Sequence, residues 1–235
     1  MRRLNMHLLM VVLLLLLLAG CRSLPIGGHA IIDWVDFIKC NGKMYYGIHT
    51  GIVADEKFIG EKLGEVKFQV ANHVTNPNYK IKDGDAAFHE KGTEIYRIKG
   101  KPDLLAVKDT SSINGYRIYY ERDKFEYRWD FKNVPLEKVN AIEIYQGYAP
   151  NTKKITKIKD KDKVNHFLKI LKNSEEKPDF QPVTTKGDPT YYEMVLYIDE
   201  PIAYKYSIQF DGTSYFWYPW EPSILSKEIG AFIPN

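Results

Sequence analysis

The residues most able to do chemistry are few and widely spaced. The densest group is Tyr215-Phe216-Trp217-Tyr218-Pro219-Trp220, flanked by Asp211 and Glu221. On a strand, Tyr215 and Trp217 point one way and Phe216 and Tyr218 the other. One pair is expected to pack the core. The other could form an exposed aromatic face suited to a sugar, a peptide or a cell-wall polymer. Tyr215, Trp217, Trp220 and Glu221 are therefore the candidate ligand-binding residues, with full burial of both faces as the alternative. Pro219 and Pro222 suggest that this strand lies at a sheet edge. Lys161, Lys163, Lys169 and Lys172 form a basic helix face. An anionic membrane or an anionic wall polymer could meet it, since each lysine near such a surface contributes about 1 kcal/mol. Solvation of ordinary surface lysines explains it too.

Other chemistry finds little support. Glu90, Glu94, Glu121, Asp123 and Glu126 are the pool from which a glycosidase pair would have to come. His29, His49, His73, His89 and His166 show no i, i+4 pairing, and no metal site is expected. Asp83-Gly84-Asp85 opens like a calcium loop, but its glycine comes too early and no acidic residue completes it, so it reads as a turn. There is no Gly-x-Ser-x-Gly, Ser-x-x-Lys or phosphate-binding glycine loop, and no cofactor is implied.

The N-terminus is more specific. Met1-Arg2-Arg3 precedes an apolar run from Leu8 to Leu18, then Ala19-Gly20-Cys21. A positive start, a short apolar segment and a small-residue cleavage site are the parts of an export signal. The run falls short of the roughly 20 apolar residues that span a bilayer. An uncleaved anchor helix is the alternative. Leu18-Ala19-Gly20-Cys21 resembles the lipobox of bacterial lipoproteins. That resemblance implies a diacylglycerol on the Cys21 sulfur, cleavage after Gly20 and an extracytoplasmic, membrane-anchored mature chain. Two acyl chains give the firm anchoring that one does not. With Cys21 lipidated, Cys40 has no partner for an internal disulfide, so the fold must rest on its core. Cys40 reads as a structural cysteine, since no nearby histidine has a pairing role; a reactive thiol or a catalytic nucleophile is the alternative.

Removing Arg2 and Arg3 with the signal lowers the formal net charge from +3 to +1. That balance gives no electrostatic reason to expect nucleic acid as a partner. Residues 1–20 read as the signal and 21–32, with Pro25 and Gly27-Gly28, as a tether. Residues 33–132 read as a β-rich part and 133–235 as an α+β part, meeting at Asn133-Val134-Pro135. In the first part Asn41-Gly42 and Asn114-Gly115 are hairpin signals between alternating runs. Leu63–Val70, Thr93–Ile98 and Leu104–Val107 add short strands, which together suggest a small barrel or sandwich. In the second part Ala141–Tyr145, Ile155–Lys159, Tyr191–Ile198, Ile202–Phe210 and Thr213–Tyr218 read as strands. Asp211-Gly212 turns between the last two. Lys161–Asn173 is a helix, because Val164, Phe167, Leu168 and Leu171 recur at i, i+3, i+4 and i+7. Asp160 or Asp162 can cap it. Ser223–Phe232 is expected to close the chain as a second short helix, giving helices on one face of an antiparallel sheet.

The body of the chain is also similar to small uncharacterised lipoproteins of Firmicute-type bacteria, on Phe37–Tyr46, Lys91-Gly92-Thr93-Glu94-Ile95-Tyr96 and Phe216–Trp220. That resemblance implies no activity and no catalytic residue. The expected function is a non-enzymatic, membrane-anchored module that binds or scaffolds a wall polymer or an envelope protein. An envelope enzyme acting on wall polymer is the alternative, as is an immunity or inhibitor protein against a secreted hydrolase.

Overall fold

The computed structural model describes residues 32–124, 130–185 and 187–234, and Asn41 and Gly42, at φ 51° and 77°, make its first two-residue turn between strands. Trp34–His73 and Lys80–Asn235 form one compact unit. Val74–Tyr79 fall outside that unit; there the Asn78 N–H donates to the Asn76 side-chain oxygen at 2.9 Å. The expectations for the signal, for Cys21, for nearly all of the tether and for Glu126 lie outside the described residues.

The turn joins β1 (Phe37–Cys40) to β2 (Lys43–Ile48). Then come β3 (Gly51–Val53), β4 (Ile59–Glu65), β5 (Phe68–Gln69), β6 (Asp85–Ala86), β7 (Glu94–Ile98), β8 (Lys101–Lys108) and β9 (Tyr116–Glu121). All but β3 belong to one sheet, in the order β4-β7-β8-β9-β2-β1-β6-β5. Its two end strands, β4 and β5, are separated in sequence only by Val66 and Lys67. The sheet therefore curls until its ends approach, as the expected small barrel does. The Val66 N–H donates to the Thr93 carbonyl (2.9 Å) and the Lys67 N–H to the Gly84 carbonyl (2.8 Å) along that seam. Gly84 is required there: at φ +94°, a Cβ would lie 2.6 Å from the Lys67 side chain.

Alternation along β8 divides the burial. Leu105 and Val107 join Ile38, Cys40, Tyr45, Ile95 and Tyr119 in one cluster. Leu104 and Ala106 join Ile48, Val53, Ile118 and Ile202 in another. A strand buried on both faces reads as an uninterrupted apolar run, which is why Leu104–Val107 does not alternate in sequence. Each of the leucines, isoleucines and valines among them contributes roughly 1.5–3 kcal/mol on burial.

The second sheet contains β10 (Ala141–Gln146), β11 (Lys153–Ile158), β12 (Glu175–Glu176), β13 (Thr190–Tyr197), β14 (Ile202–Phe210), β15 (Tyr215–Trp217) and β16 (Ser223–Leu225). It runs β11-β10-β13-β14-β15-β16-β12, and β3 adds to β14 through Ile52 opposite Ala203. The helix α1 (Lys161–Lys172) covers one face. Its Val164, Phe167, Leu168 and Leu171 pack with Ile142, Ile144, Met194, Leu196 and Trp217 in a single cluster. The Asp160 carboxylate accepts from the Lys163 N–H at 3.0 Å and so caps its N-terminus. The opposite face presents Tyr145, Val195 and Ala203 to Ile52 and Ile113.

Several local expectations need correction. Ser223–Phe232 is not one helix: Ser223–Leu225 pair with β15, and a 3-10 helix follows only over Lys227–Phe232. Alternating burial of Ser223 and Leu225 suits a strand, and the aromatic strand beside it supplies the partner. Leu63–Val70 is not one strand, because it breaks at the barrel seam. Asn114-Gly115 has the positive φ of a hairpin turn but sits at the end of a longer connection, Lys108 and Tyr116 being the flanking pair. The aromatic strand β15 is not an edge strand: it pairs with β14 on one side and β16 on the other.

Candidate functional site

Strand β10 reads Ala-Ile-Glu-Ile-Tyr. Ile142 and Ile144 face the helix, so Glu143 and Tyr145 must face the other way. Glu143 is 3% exposed. A carboxylate that deep is costly to keep ionised unless it is paired and hydrogen-bonded. The neighbouring strand supplies the pairing. Lys157 stands directly opposite Glu143, and a register shift at Ile144/Tyr145 sets Lys154, rather than Ile155, opposite Tyr145. That bulge turns a second lysine onto the same face. Lys157 Nζ lies 2.7 Å and Lys154 Nζ 3.1 Å from Oε1 of Glu143. Two phenols complete the shell: Tyr145 donates to Oε2 at 2.5 Å and Tyr197, from β13, at 3.1 Å.

Burial alone would raise the pKa of Glu143. The four donors (Lys157, Tyr145, Lys154 and Tyr197) more than reverse this and hold it at about 2. The phenols move the other way. Burial first, then the bond to Glu143, pushes Tyr145 well above the usual tyrosine range. Burial first pushes Tyr197 up to about 12. At neutral pH the cluster is thus one carboxylate, two ammoniums and two neutral phenols. It offers fixed charge and hydrogen bonds, and no proton-transfer pair near neutrality.

Glu143, Lys154, Lys157 and Tyr197 of this cluster line a cleft of about 750 Å³. Lys57, Phe58 and Asn114, from the connections around β3 and β9, line it too, as do Lys159, Asp199 and Glu200. Asn114 ties the β3 end to Tyr197. At φ 62° its amide donates to the carbonyls of Val53 (3.0 Å) and Ala54 (3.2 Å) and lies 3.4 Å from the Tyr197 hydroxyl. The Lys154 and Lys157 side chains are about half exposed. An ammonium has three N–H groups, so each retains donors beyond the one given to Glu143.

The residues expected from sequence fall elsewhere and do not converge. Trp217 is 1% exposed and lies in the helix-side core, with the ring of Phe131 at 4.6 Å. It cannot contribute to a surface site, because strands on both sides and the helix cover it. Phe216 is fully buried too. Tyr215 is half-buried and stacked on Phe210 at 4.3 Å. Tyr218 and Trp220 are 45% and 78% exposed, and Glu221 is exposed. The aromatic segment therefore splits, with Trp220 and Glu221 outside and Trp217 inside. Of the carboxylate pool, Glu94 pairs with Lys62, Glu121 with Lys43 and Asp123 with Arg122, each in its own ion pair. Among the described residues no group of three or more His, Cys, Asp or Glu is placed to hold a metal ion. Among them, too, no helix is long and apolar enough to cross a membrane.

Sequence reading missed Glu143, Tyr145, Tyr197, Lys154 and Lys157. One signal was available. A lone carboxylate between two isoleucines in a short strand has to be buried or to face a neighbour, and the lysine-rich Lys153–Ile158 is the next strand in the chain. No protein family, curated protein or solved structure matches the chain significantly.

Proposed function

We propose that this chain is an extracytoplasmic lipoprotein, anchored through Cys21, whose folded part binds a polar envelope ligand in the Glu143 cleft without transforming it. The observation that carries the binding reading is the saturation of Glu143 by four donors. A carboxylate held at about pKa 2 gives no proton to a leaving group. A wall-polymer hydrolase would need a carboxyl poised nearer neutrality. The cleft instead provides pre-set ammonium and amide groups on a rigid sheet, the arrangement that orients a polar ligand. The membrane reading rests on the sequence of the N-terminus.

Two measurements test it. Mass spectrometry of the N-terminal peptide from membrane-extracted protein should find Cys21 as the first residue, carrying diacylglycerol. An unmodified first residue, or an intact Met1, refutes lipoprotein processing. For the cleft, purified wall-polymer fragments are titrated against full-length protein in detergent. Lys57→Ala/Lys159→Ala removes two lining lysines that do not touch Glu143. Loss of fragment binding in that variant, with fragments recovered unaltered from the wild type, is expected. Chemical turnover of the fragments overturns the binding reading.

A further inference from the structure

A second polar constellation lies in the barrel, on residues independent of the Glu143 cleft. Asp36, just before β1, accepts two strong hydrogen bonds. The Tyr119 hydroxyl donates to its Oδ1 at 2.8 Å, and Arg117 Nη2 to its Oδ2 at 3.0 Å. Space for the carboxylate is made by Gly47, where a Cβ would come 2.6 Å from Oδ2. The Gly47 N–H also donates to the Asp36 carbonyl at 3.0 Å. Beyond Tyr119 the chain continues: His89 Nε2 lies 2.7 Å from the Tyr119 hydroxyl. At its other end His49 Nδ1 lies 3.4 Å from Arg117 Nη2. Tyr119 is fully buried and His89 is 9% exposed.

The hydrogens in this chain follow from counting donors. A phenol has one hydrogen, and here it goes to the Asp36 carboxylate. The Tyr119 oxygen can then only accept from His89, so Nε2 carries the imidazole hydrogen. That leaves Nδ1 of the neutral ring as an obligate acceptor, and it has no partner among the described residues. Burial first, then the Arg117 charge, lowers the His89 pKa, so the ring is neutral at pH 7. The network therefore holds a buried imidazole in one tautomer.

His89 lines a cavity of about 720 Å³ with Arg117, Lys108 and Lys91. Its acidic residues are largely engaged. Glu94 pairs with Lys62 and Tyr96, at 2.8 and 2.7 Å. Asp109 accepts from Ser111 and Ser112. Glu90 also lines the cavity, so the formal charges of the lining cancel. Selectivity must then come from where donors and acceptors point and not from net field. The guanidinium spends Nη2 on Asp36 and retains other N–H groups for an anion. A ligand that satisfies both Arg117 and His89 Nδ1 must be anionic and must also carry a hydrogen of its own.

We propose that this cavity binds a hydrogen-phosphate group, either free phosphate or a phosphomonoester. Arg117 and Lys108 meet the charged oxygens, and His89 Nδ1 accepts the P–OH hydrogen. The cavity has room for the group that bears the phosphate. Sulfate matches hydrogen phosphate in shape and charge but has no hydrogen, so the enforced tautomer discriminates against it. Tyr119 acts as a positioning residue, through His89.

The test is titration of full-length protein in detergent with inorganic phosphate and with sulfate, at constant ionic strength and pH 7.5. Wild type should prefer phosphate by about tenfold, the ratio that one good hydrogen bond carries. His89→Phe should lose the preference by weakening phosphate. Tyr119→Phe deletes one hydroxyl and frees the tautomer, so Nδ1–H becomes available. Its preference should collapse mainly because sulfate binds better, an outcome that simple damage to the site would not produce. Circular dichroism and melting curves establish that both variants are folded. Titration with sn-glycerol 3-phosphate and with vesicles containing phosphatidate then assigns the source as a soluble ester or a lipid headgroup. Equal affinity for sulfate and phosphate in the wild type overturns the proposal. So does a phosphate preference that survives His89→Phe, or no saturable binding of either anion.

Discussion

Replacing Glu143 by glutamine removes a charge and leaves a side chain of nearly the same shape. The magnitude follows from the site. The carboxyl is held at about 2, against 4.5 for an unperturbed glutamate. That difference of about 2.5 in pKa corresponds to roughly 3 kcal/mol of folded-state stabilisation, at about 1.4 kcal/mol for each tenfold change in proton affinity. The side chain is only 5% exposed, so solvent screening takes little from it. The folded pKa is the lower one, so the unfolded chain takes up its proton first as pH falls. The stabilisation is present in full above about pH 4.5 and is lost progressively towards pH 2. The amide oxygen of the substituted side chain can still accept from two of the four donors. Glu143→Gln should therefore lower stability by roughly 2–3 kcal/mol at pH 7 and by less than about 1 kcal/mol at pH 2. Urea unfolding followed by tryptophan fluorescence, at several pH values from 2 to 7, measures both proteins. Asp109, Asp211, Glu94 and Glu200 also have lowered pKa values, but they titrate in both chains and cancel in the difference. A wild-type–variant difference that does not change with pH refutes the assignment of Glu143 as a buried, donor-saturated charge.

Other consequences are separately measurable. Trp217→Ala should destabilise by roughly 3–5 kcal/mol, whereas Trp220→Ala should stay within about 0.5 kcal/mol, as chemical denaturation would show. Cys40 is buried, and burial, with a smaller contribution from the Asp83 charge, pushes its thiol pKa up. It should resist a disulfide-exchange reagent in the native protein and react on unfolding, while rapid native labelling would contradict that environment. Ile52→Ala should cost about 2–5 kcal/mol although it sits in a three-residue strand. Amide exchange in that variant should quicken in both sheets, and quickening confined to residues near position 52 would refute the coupling.

What could be read from the sequence was whatever depends on neighbours in the chain. The α1 stripe of Val164, Phe167, Leu168 and Leu171 fixes its period and its buried face together, and Asp160 marks its start. Asn41-Gly42 names its turn because few other residues take two positive φ values in succession. The barrel seam at Val66-Lys67 could not be read, since alternation runs through it and only strand order shows the break. Trp217 escaped for a related reason. Alternation correctly paired it with Tyr215, but which face is covered depends on α1 and β16. The Glu143 cluster was hidden because its second lysine arrives by a bulge. Without the shift at Tyr145, Ile155 would stand where Lys154 stands, and Lys153-Lys154 would read as an ordinary charged edge strand.

The same dependence on distant partners explains why β3 matters more than its length suggests. Val53 packs with Leu104 and Ile118 of the barrel and with Ile202 of the second sheet. Ile52, the residue before it, points the opposite way and packs with Tyr145, Val195 and Ala203. One strand thus contributes a side chain to each of two clusters while its backbone extends β14. Asn114 then fixes the strand's end by donating to the Val53 and Ala54 carbonyls. The segment that leads into this part of the cleft lining is therefore held from three directions: by pairing, by packing on both faces and by a side-chain amide. Fixed walls are what a recognition site needs, because donors held in place before binding lose little freedom when a ligand arrives. A cleft built to open and close during a reaction would instead be expected to carry a weakly packed connection at this point.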